Sequence, residues 1–210
     1  MAKQYGFYFD ASACTGCKAC QLACKDKHDL DIGLQWRRIY EITGGEWKQE
    51  GKTWIPEITA YNLSIACNHC LNPVCRDVCP TGAIYKREDG IVLIDNQKCL
   101  GCRYCEWNCP YSALQFDEAF GIMSKCHFCY DLIDKGESPA CVTACPMRAL
   151  DFGDLSRLKK QYSGTSRVYP LPDENLTQPA LVIKPHKDSA RAEKIKALVS
   201  NSGEVGLARK

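Results

Sequence analysis

The residues that could do chemistry here are cysteines: sixteen in a chain of 210. They fall into four groups of four with none left over. The first, "CTGCKACQLAC", holds Cys14, Cys17, Cys20 and Cys24. The second, "CNHCLNPVCRDVC", holds Cys67, Cys70, Cys75 and Cys79. The third, "CLGCRYCEWNC", holds Cys99, Cys102, Cys105 and Cys109. The fourth, "CHFCYDLIDKGESPACVTAC", holds Cys126, Cys129, Cys141 and Cys145. The first and third groups have spacings x2, x2, x3; the second and fourth lengthen only the gap before the third cysteine. Three groups end in Cys-Pro, at Pro80, Pro110 and Pro146, whereas Lys25 follows Cys24.

Thiols packed this tightly are cross-linked or bind metal. Disulfides suit exported chains, and the opening "MAKQYGFYFDASAC" carries no apolar stretch of the secretory kind. Zinc sites with four thiolates use two separated C-x2-C pairs, not a triplet followed by a singlet. A triplet in a tight loop can instead cap three irons of one cubane. The fourth cysteine, after x3, starts a turn of helix and points away; in two-cluster ferredoxins it ligates the other cluster. Proline after it fixes φ and removes a donor, so the polypeptide leaves the centre without extending a helix.

An internal repeat indicates which groups pair. Asp10 and Asp95 each end an apolar stretch four residues before Cys14 and Cys99, and Ala83, Ala113 and Ala149 each lie four residues after a last cysteine. The units therefore read as strand, cysteine loop, short helix, strand. The second and third groups are joined by "AIYKREDGIVLID", with "EDG" as a turn between short strands. The first and fourth groups complete an outer unit, with "YGFYFD" beside "ALDFG" closing its sheet. Crossed ligation within each pair yields four sets: Cys14, Cys17, Cys20 and Cys145; Cys24, Cys126, Cys129 and Cys141; Cys67, Cys70, Cys75 and Cys109; and Cys79, Cys99, Cys102 and Cys105. The expected fold is α+β: two nested bacterial-ferredoxin-like units with a β-hairpin insertion and an extended C-terminal tail. The outer unit spans 1–33 and 110–153, the hairpin 34–66, the inserted unit 67–109 and the tail 154–210.

Segment 34–66 reads as strands with a "GG" hairpin and concentrates Trp36, Trp47, Trp54 and Tyr61, as core under the hairpin or as a docking surface. The tail lacks cysteine and is punctuated by proline. Its last twenty residues read as a frayed helix or disordered, and the tail is expected to lie along another subunit. His69 and His127 sit inside C-x2-C loops, as plain loop residues or as groups that tune a centre; His28 and His186 are the other histidines. Charge is nearly balanced, 27 basic against 25 acidic residues, so no nucleic-acid surface is implied. No run of apolar residues is long enough to span a membrane. No Ser/His/Asp set, P-loop or GxGxxG fingerprint appears, so no catalytic residues are assigned.

The stretches "QYGFYFDASACTGCKACQLACKD", "RRIYEITGGEW", "SIACNHC", "KREDG", "CLGCRYC", "CPMRALDFG" and "LVIKPH" closely resemble the iron–sulfur subunits of the dimethyl sulfoxide reductase type. These belong to the four-cluster electron-transfer subunits that partner molybdenum enzymes. The resemblance implies a non-catalytic electron-transfer subunit with four 4Fe–4S clusters and the crossed ligation above. It also implies a molybdopterin catalytic subunit and an integral-membrane, quinol-oxidising anchor as partners. Nitrate reductase relatives carry tryptophan at the second position of the third group and hold a three-iron cluster there; Cys102 favours four complete clusters. Membrane association would come through a partner. It would lie on the extracytoplasmic face if the subunit travels folded with a signal-bearing partner, and on the cytoplasmic face otherwise. Two rivals remain: the same role in another molybdopterin oxidoreductase, acting on polysulfide, selenate or formate, and a soluble polyferredoxin, which would not need segments 34–66 and 154–210.

Overall fold

The computed structural model describes residues 3–207. In sequence order the elements are strand β1 (Tyr5–Asp10), helix α1 (Ala19–Lys27), strands β2 (Arg38–Glu50) and β3 (Thr53–Ile65), helix α2 (Val74–Asp77), strands β4 (Ile84–Lys86) and β5 (Val92–Ile94), and helix α3 (Tyr104–Asn108). There follow strands β6 (Gln115–Asp117) and β7 (Ile122–Ser124), helices α4 (Tyr130–Ile133) and α5 (Ala140–Thr143), strand β8 (Leu150–Asp154), helix α6 (Leu155–Gln161), strand β9 (Leu181–Lys184), helix α7 (Ser189–Lys194) and strand β10 (Leu198–Val199). The fold is α+β, with small sheets and mostly one-turn helices.

The pleat of β1 sends alternate side chains to opposite faces. Phe7 and Phe9 join the main core, where Phe7 stacks on Phe128 with ring centroids 4.2 Å apart. Tyr8 faces the other way, stacks on Tyr162 at 3.7 Å and packs with Leu155 and Leu158 of α6. β1 is the middle strand of the order β8-β1-β9. It runs antiparallel to β8, from Tyr5 opposite Asp154 to Phe9 opposite Leu150, which closes the outer sheet as the sequence suggests. The "EDG" turn is also where expected, between β4 and β5, and the Arg87 N–H donates to Ile91 O at 2.8 Å across it.

Hairpin β2–β3 runs thirteen residues on each strand, from Arg38 opposite Ile65 to Glu50 opposite Thr53, so the polypeptide reverses at Gly51-Lys52 and not at "GG". Gly44 and Gly45 lie mid-strand. At Gly45, φ is +97° and the carbonyl of Glu57 occupies the place a Cβ would need. At Gly44 the Cβ of Ala197 would lie 2.9 Å from a side chain, so the missing side chain lets the C-terminal segment settle on the hairpin. Trp36 and Tyr61 pack into the core at the hairpin base, while Trp47 and Trp54 near its tip are exposed.

The tail does not extend away from the rest of the fold. Between α6 and β9 it is irregular apart from one 3-10 turn (Glu174–Leu176), but β9 then pairs in parallel with β1, with Phe7 opposite Leu181 and Asp10 opposite Lys184. β10 pairs with β2, Asn201 donates to Ile39 O at 2.8 Å, and buried Arg38 donates to Val205 O at 3.2 Å and to Tyr111 O at 3.1 Å. Leu158, Ile183, Ala192 and Val205 are fully buried. The segment expected to fray thus forms α7 and β10, and residues 208–210 lie outside the described residues. The tail's sparse apolar positions are too few for a core of their own because they complete one built by the preceding elements.

This packing can be tested at two points. Each fully buried Leu, Ile or Val is worth about 1.5–3 kcal/mol, against a total of about 5–15 kcal/mol for a domain. A truncation ending at Asp154 loses Leu158, Val182, Ile183 and Val205 together, so it should fail to accumulate as soluble, iron-loaded protein; full yield and iron content would refute the structural role of the tail. Gly45→Ala should lower stability by roughly 1–3 kcal/mol through left-handed strain and the contact with Glu57, read as a lower melting temperature.

Candidate metal centres

Two acidic side chains turn the polypeptide into its cysteine loops. Asp10 Oδ1 accepts from the N–H of Ser12 at 2.8 Å and of Ala13 at 3.2 Å; Asp95 Oδ1 accepts from Gln97 N–H at 3.0 Å. Gly16 and Gly101 then take φ of +72° and +64°, and the carbonyl of Gly121 fills the space beside Gly101. The helices that follow differ from expectation in one respect. α1, α2, α3 and α5 each begin one residue before the third cysteine of a group, not at the fourth. In α1, Cys20 and Cys24 thus lie about one helical turn apart on the same face, about 6 Å along the axis. That offset lets two cysteines a turn apart on one helix serve two centres. The alanines after the second, third and fourth groups are buried: the Ala113 N–H donates to Cys109 Sγ at 3.5 Å, and the Ala83 N–H donates to Cys79.

No disulfide links any of the sixteen thiols, and members of each expected crossed set lie near one another. Cys14, Cys17, Cys20 and Cys145 line one cavity, walled by Phe9, Ile39, Ala149 and Leu150. Cys79, Cys99, Cys102 and Cys105 line another, with Ala83, Ile84, Ile94 and Met123. Cys129 and Cys141 are neighbours of Cys24, and Cys24 and Cys129 are neighbours of Cys126, in each case adding to burial in pushing the thiol up. Cys67, Cys109 and Cys70 are neighbours of Cys75 and, beyond burial, push its thiol up. The foursomes lie in series. Cys20 of the first adjoins Cys141 of the second, and Cys126 of the second adjoins Cys67 of the third. Helix α2 carries Cys75 of the third and is followed by Cys79 of the fourth; α3 carries Cys105 of the fourth and is followed by Cys109 of the third. The two exposed thiols, Cys17 and Cys102, belong to the first and fourth foursomes, at opposite ends of the series.

Burial, reinforced by neighbouring thiols, pushes Cys24, Cys70 and Cys105 up to about 12 and Cys14 and Cys129 to about 11. At Cys79, burial acts upward but is outweighed by the Thr81 hydroxyl and the N–H groups of Ile84, Thr81 and Ala83, which bring it down. A metal that binds these thiols as thiolates must displace their protons. Among the described residues, no three His, Cys, Asp or Glu side chains converge around a point that would hold one ion. Thiols ringing an apolar cavity, with N–H groups directed at sulfur, instead fit a polynuclear iron–sulfur group.

Several partners of the thiols carry no motif. Arg37 is buried beside the first two foursomes, and Lys125 is buried beside the second and third, donating to Cys126 O at 3.0 Å and to Val92 O. The signal in the sequence is a charged residue inside a strand-like or cysteine-adjacent run: "WRRIY" and "MSKCHFC". Ser64 Oγ is 3.4 Å from Cys20 Sγ. His28 Nε2 lies 3.4 Å from Cys129 Sγ, and burial, with His127 and Lys27 nearby, holds His28 down at about 4. His69 is fully buried and accepts from the Val92 N–H at 3.0 Å through Nδ1, so it braces the second cysteine loop against β5. His186 stacks on Tyr61 at 5.6 Å, far along the sequence from any cysteine.

A family model described as a 4Fe–4S dicluster domain matches residues 58–155. Over nearly its whole length the protein is similar to the B subunit of the anaerobic dimethyl sulfoxide reductase of Escherichia coli strain K12, 48% identical over 205 residues, 98% of this protein and 100% of that one. The corresponding B subunit of Haemophilus influenzae is 48% identical over 204 residues, 97% of this protein and 100% of that one. The B subunit of the polysulfide reductase of Wolinella succinogenes is 38% identical over 192 residues, 89% of this protein and 97% of that one. No helix among the described residues is long and apolar enough to cross a membrane. With its cysteine foursomes and its match to a 4Fe–4S domain, this protein belongs to the family of anaerobic dimethyl sulfoxide reductase B subunits, iron–sulfur subunits that transfer electrons.

Proposed function

We propose that the protein holds four 4Fe–4S clusters, one in each crossed cysteine foursome, and relays electrons between a molybdopterin catalytic subunit and an integral-membrane, quinol-oxidising anchor. The ligands are Cys14, Cys17, Cys20 and Cys145 for the first; Cys24, Cys126, Cys129 and Cys141 for the second; Cys67, Cys70, Cys75 and Cys109 for the third; and Cys79, Cys99, Cys102 and Cys105 for the fourth. The observation that carries this reading is the serial order of the foursomes, with one exposed cysteine at each end. Each bound cluster supplies a one-electron carrier. The protein's own part is to hold four such groups in line, exclude water from the inner two and present the outer two to partners. The outer ferredoxin-like unit comprises 1–33 and 110–153, the inserted unit comprises 67–109, and the hairpin 34–66 projects from between them.

Partners of this kind are supported by the relatives, which are B subunits of reductases. Exposed Trp47 and Trp54 on the hairpin, and Leu100, Tyr104 and Trp107 around Cys102, offer apolar contact of the kind that anchors interfaces. The protein has no catalytic residues of its own in this reading and associates with the membrane through the anchor, on the face to which the catalytic subunit is delivered. The substrate is set by that subunit: dimethyl sulfoxide is favoured by 48% identity to the Escherichia coli subunit, ahead of polysulfide at 38%.

Protein prepared without oxygen should contain about 16 irons and as many acid-labile sulfides per molecule, four per cubane. Stoichiometric zinc, or iron enough for only two clusters, would refute the ligation. Cys102→Ser should free one iron corner of the fourth cluster, leaving a three-iron centre with its own paramagnetic signal in the oxidised state. Four unaltered cubanes in that variant would remove Cys102 from the ligand set.

A further inference from the structure

Arg37 is 2% exposed, yet the structure provides little for its charge to bind. Its Nη1 donates to Ser64 Oγ at 3.0 Å and lies 3.4 Å from Ser64 O, and its guanidinium rests over the Phe7 ring at 4.6 Å. Nε and Nη2 are buried with no hydrogen-bond partner among the described residues. A guanidinium has five N–H donors, and a buried cation with idle donors is costly unless an anion compensates it. The ionisable groups nearest it are Cys141, Cys20, Cys126 and Cys24, drawn from the first and second foursomes.

Two further contacts tie Arg37 to these centres. Its main-chain N–H donates to Cys24 of the second foursome. Through Ser64 it reaches Cys20 of the first: a hydroxyl that accepts from Arg37 has its single proton left, and Cys20 Sγ is 3.4 Å away. Lys125 occupies the junction of the second and third foursomes, so the first two are served by Arg37 from within their own junction.

We propose that Arg37 is a positioning and potential-setting cation shared by the first and second clusters, raising the reduction potential of both, with Ser64 extending its effect to Cys20. This rests on the ligation proposed above. Adding an electron makes a cluster more negative, and a fixed positive charge with hydrogen bonds to sulfur favours that state. Removing the charge must therefore lower the potential, and only where the guanidinium reaches.

The test is a redox titration of the assembled complex, followed by paramagnetic resonance, with the wild type and Arg37→Met, Arg37→Lys and Ser64→Ala. Wild-type iron content and the number of titrating clusters check the ligation by themselves, so a wild type without four clusters would defeat that reading whatever the variants do. With four clusters present, Arg37→Met should move two to lower potential and leave two in place. Arg37→Lys should restore most of the shift, and Ser64→Ala should lower one cluster alone. Four unchanged potentials in Arg37→Met, or a uniform shift of all four, overturns the proposal. If Arg37→Met fails to assemble, Ser64→Ala decides: one lowered potential supports the relay from Arg37, and none overturns it.

Discussion

The thiols are what the rest of this structure hangs on, because the elements that carry them could not stand alone. Helices α2, α4 and α5 have four residues each and α3 has five. Isolated helices shorter than about 12–15 residues are marginal in water. None of α1 to α5 has a side-chain cap among the described residues, whereas α6, outside the cysteine region, is capped by Asp154 accepting from Ser156 and Arg157. Three of the five are entered through left-handed residues, Lys18, Arg103 and Cys129, at φ of 60°, 65° and 48°. Such residues persist only where the surroundings over-determine them. Bonds from several loops to one shared group are a constraint of that kind, which explains how a protein can do without caps where it is densest in cysteine.

Burying so many ligands raises a problem of charge. A thiol in an apolar wall resists ionisation, as the elevated values of Cys24, Cys70 and Cys105 express. A set of bound thiolates therefore needs compensation close by. The protein supplies it in two forms. Main-chain N–H groups aim at sulfur, as from Met123 to Cys99 at 3.4 Å and from Phe128 to Cys126 at 3.4 Å. Two buried cations, Arg37 and Lys125, lie at successive junctions between foursomes. The first kind follows from loop geometry and comes with the cysteine spacing. The second requires a long-range placement and can differ from junction to junction, which is how similar ligand sets acquire different electronic surroundings.

That distinction also separates what can be read from the sequence from what cannot. The cysteine groups, the Asp10 and Asp95 turns, the alanines at 83, 113 and 149 and the "EDG" reversal are local: each depends on spacing within at most twenty residues. The pairing of β1 with β8 spans most of the sequence, yet the repeat makes it legible. The misplaced turn shows the limit. "GG" is a strong reversal signal in isolation, but in β2 both glycines answer to neighbours distant in sequence, Glu57 across the strand pair and Ala197 in the tail. Likewise, the tail's few apolar residues carry no periodicity of their own, because β9 and β10 each borrow a face from an existing sheet. Arg37 escapes a reading of the sequence for a related reason, since nothing in "WRRIY" says which cysteines it will meet.

The hairpin and the tail have to be understood together. A two-stranded hairpin is marginal by itself, and this one is exposed along much of its outer half. Its inner half is held by the tail, where β10 pairs with Ile42 and Thr43 and Tyr169 donates to Ala197 O at 2.7 Å while accepting at its carbonyl from Tyr61, and nearer the tip Arg191 donates to Glu57 O at 2.8 Å. Lys18, in the first cysteine loop, pairs with both Glu41 of the hairpin and Glu204 of the tail, at 2.9 and 2.7 Å. The loop around exposed Cys17, the hairpin and the C-terminal segment are thereby one mechanical body. A surface ion pair contributes little stability, but here two carboxylates from separate segments converge on one lysine, and their role is to fix an orientation. The tail thus works less as an arm than as the mount that sets the angle of the hairpin relative to the first foursome.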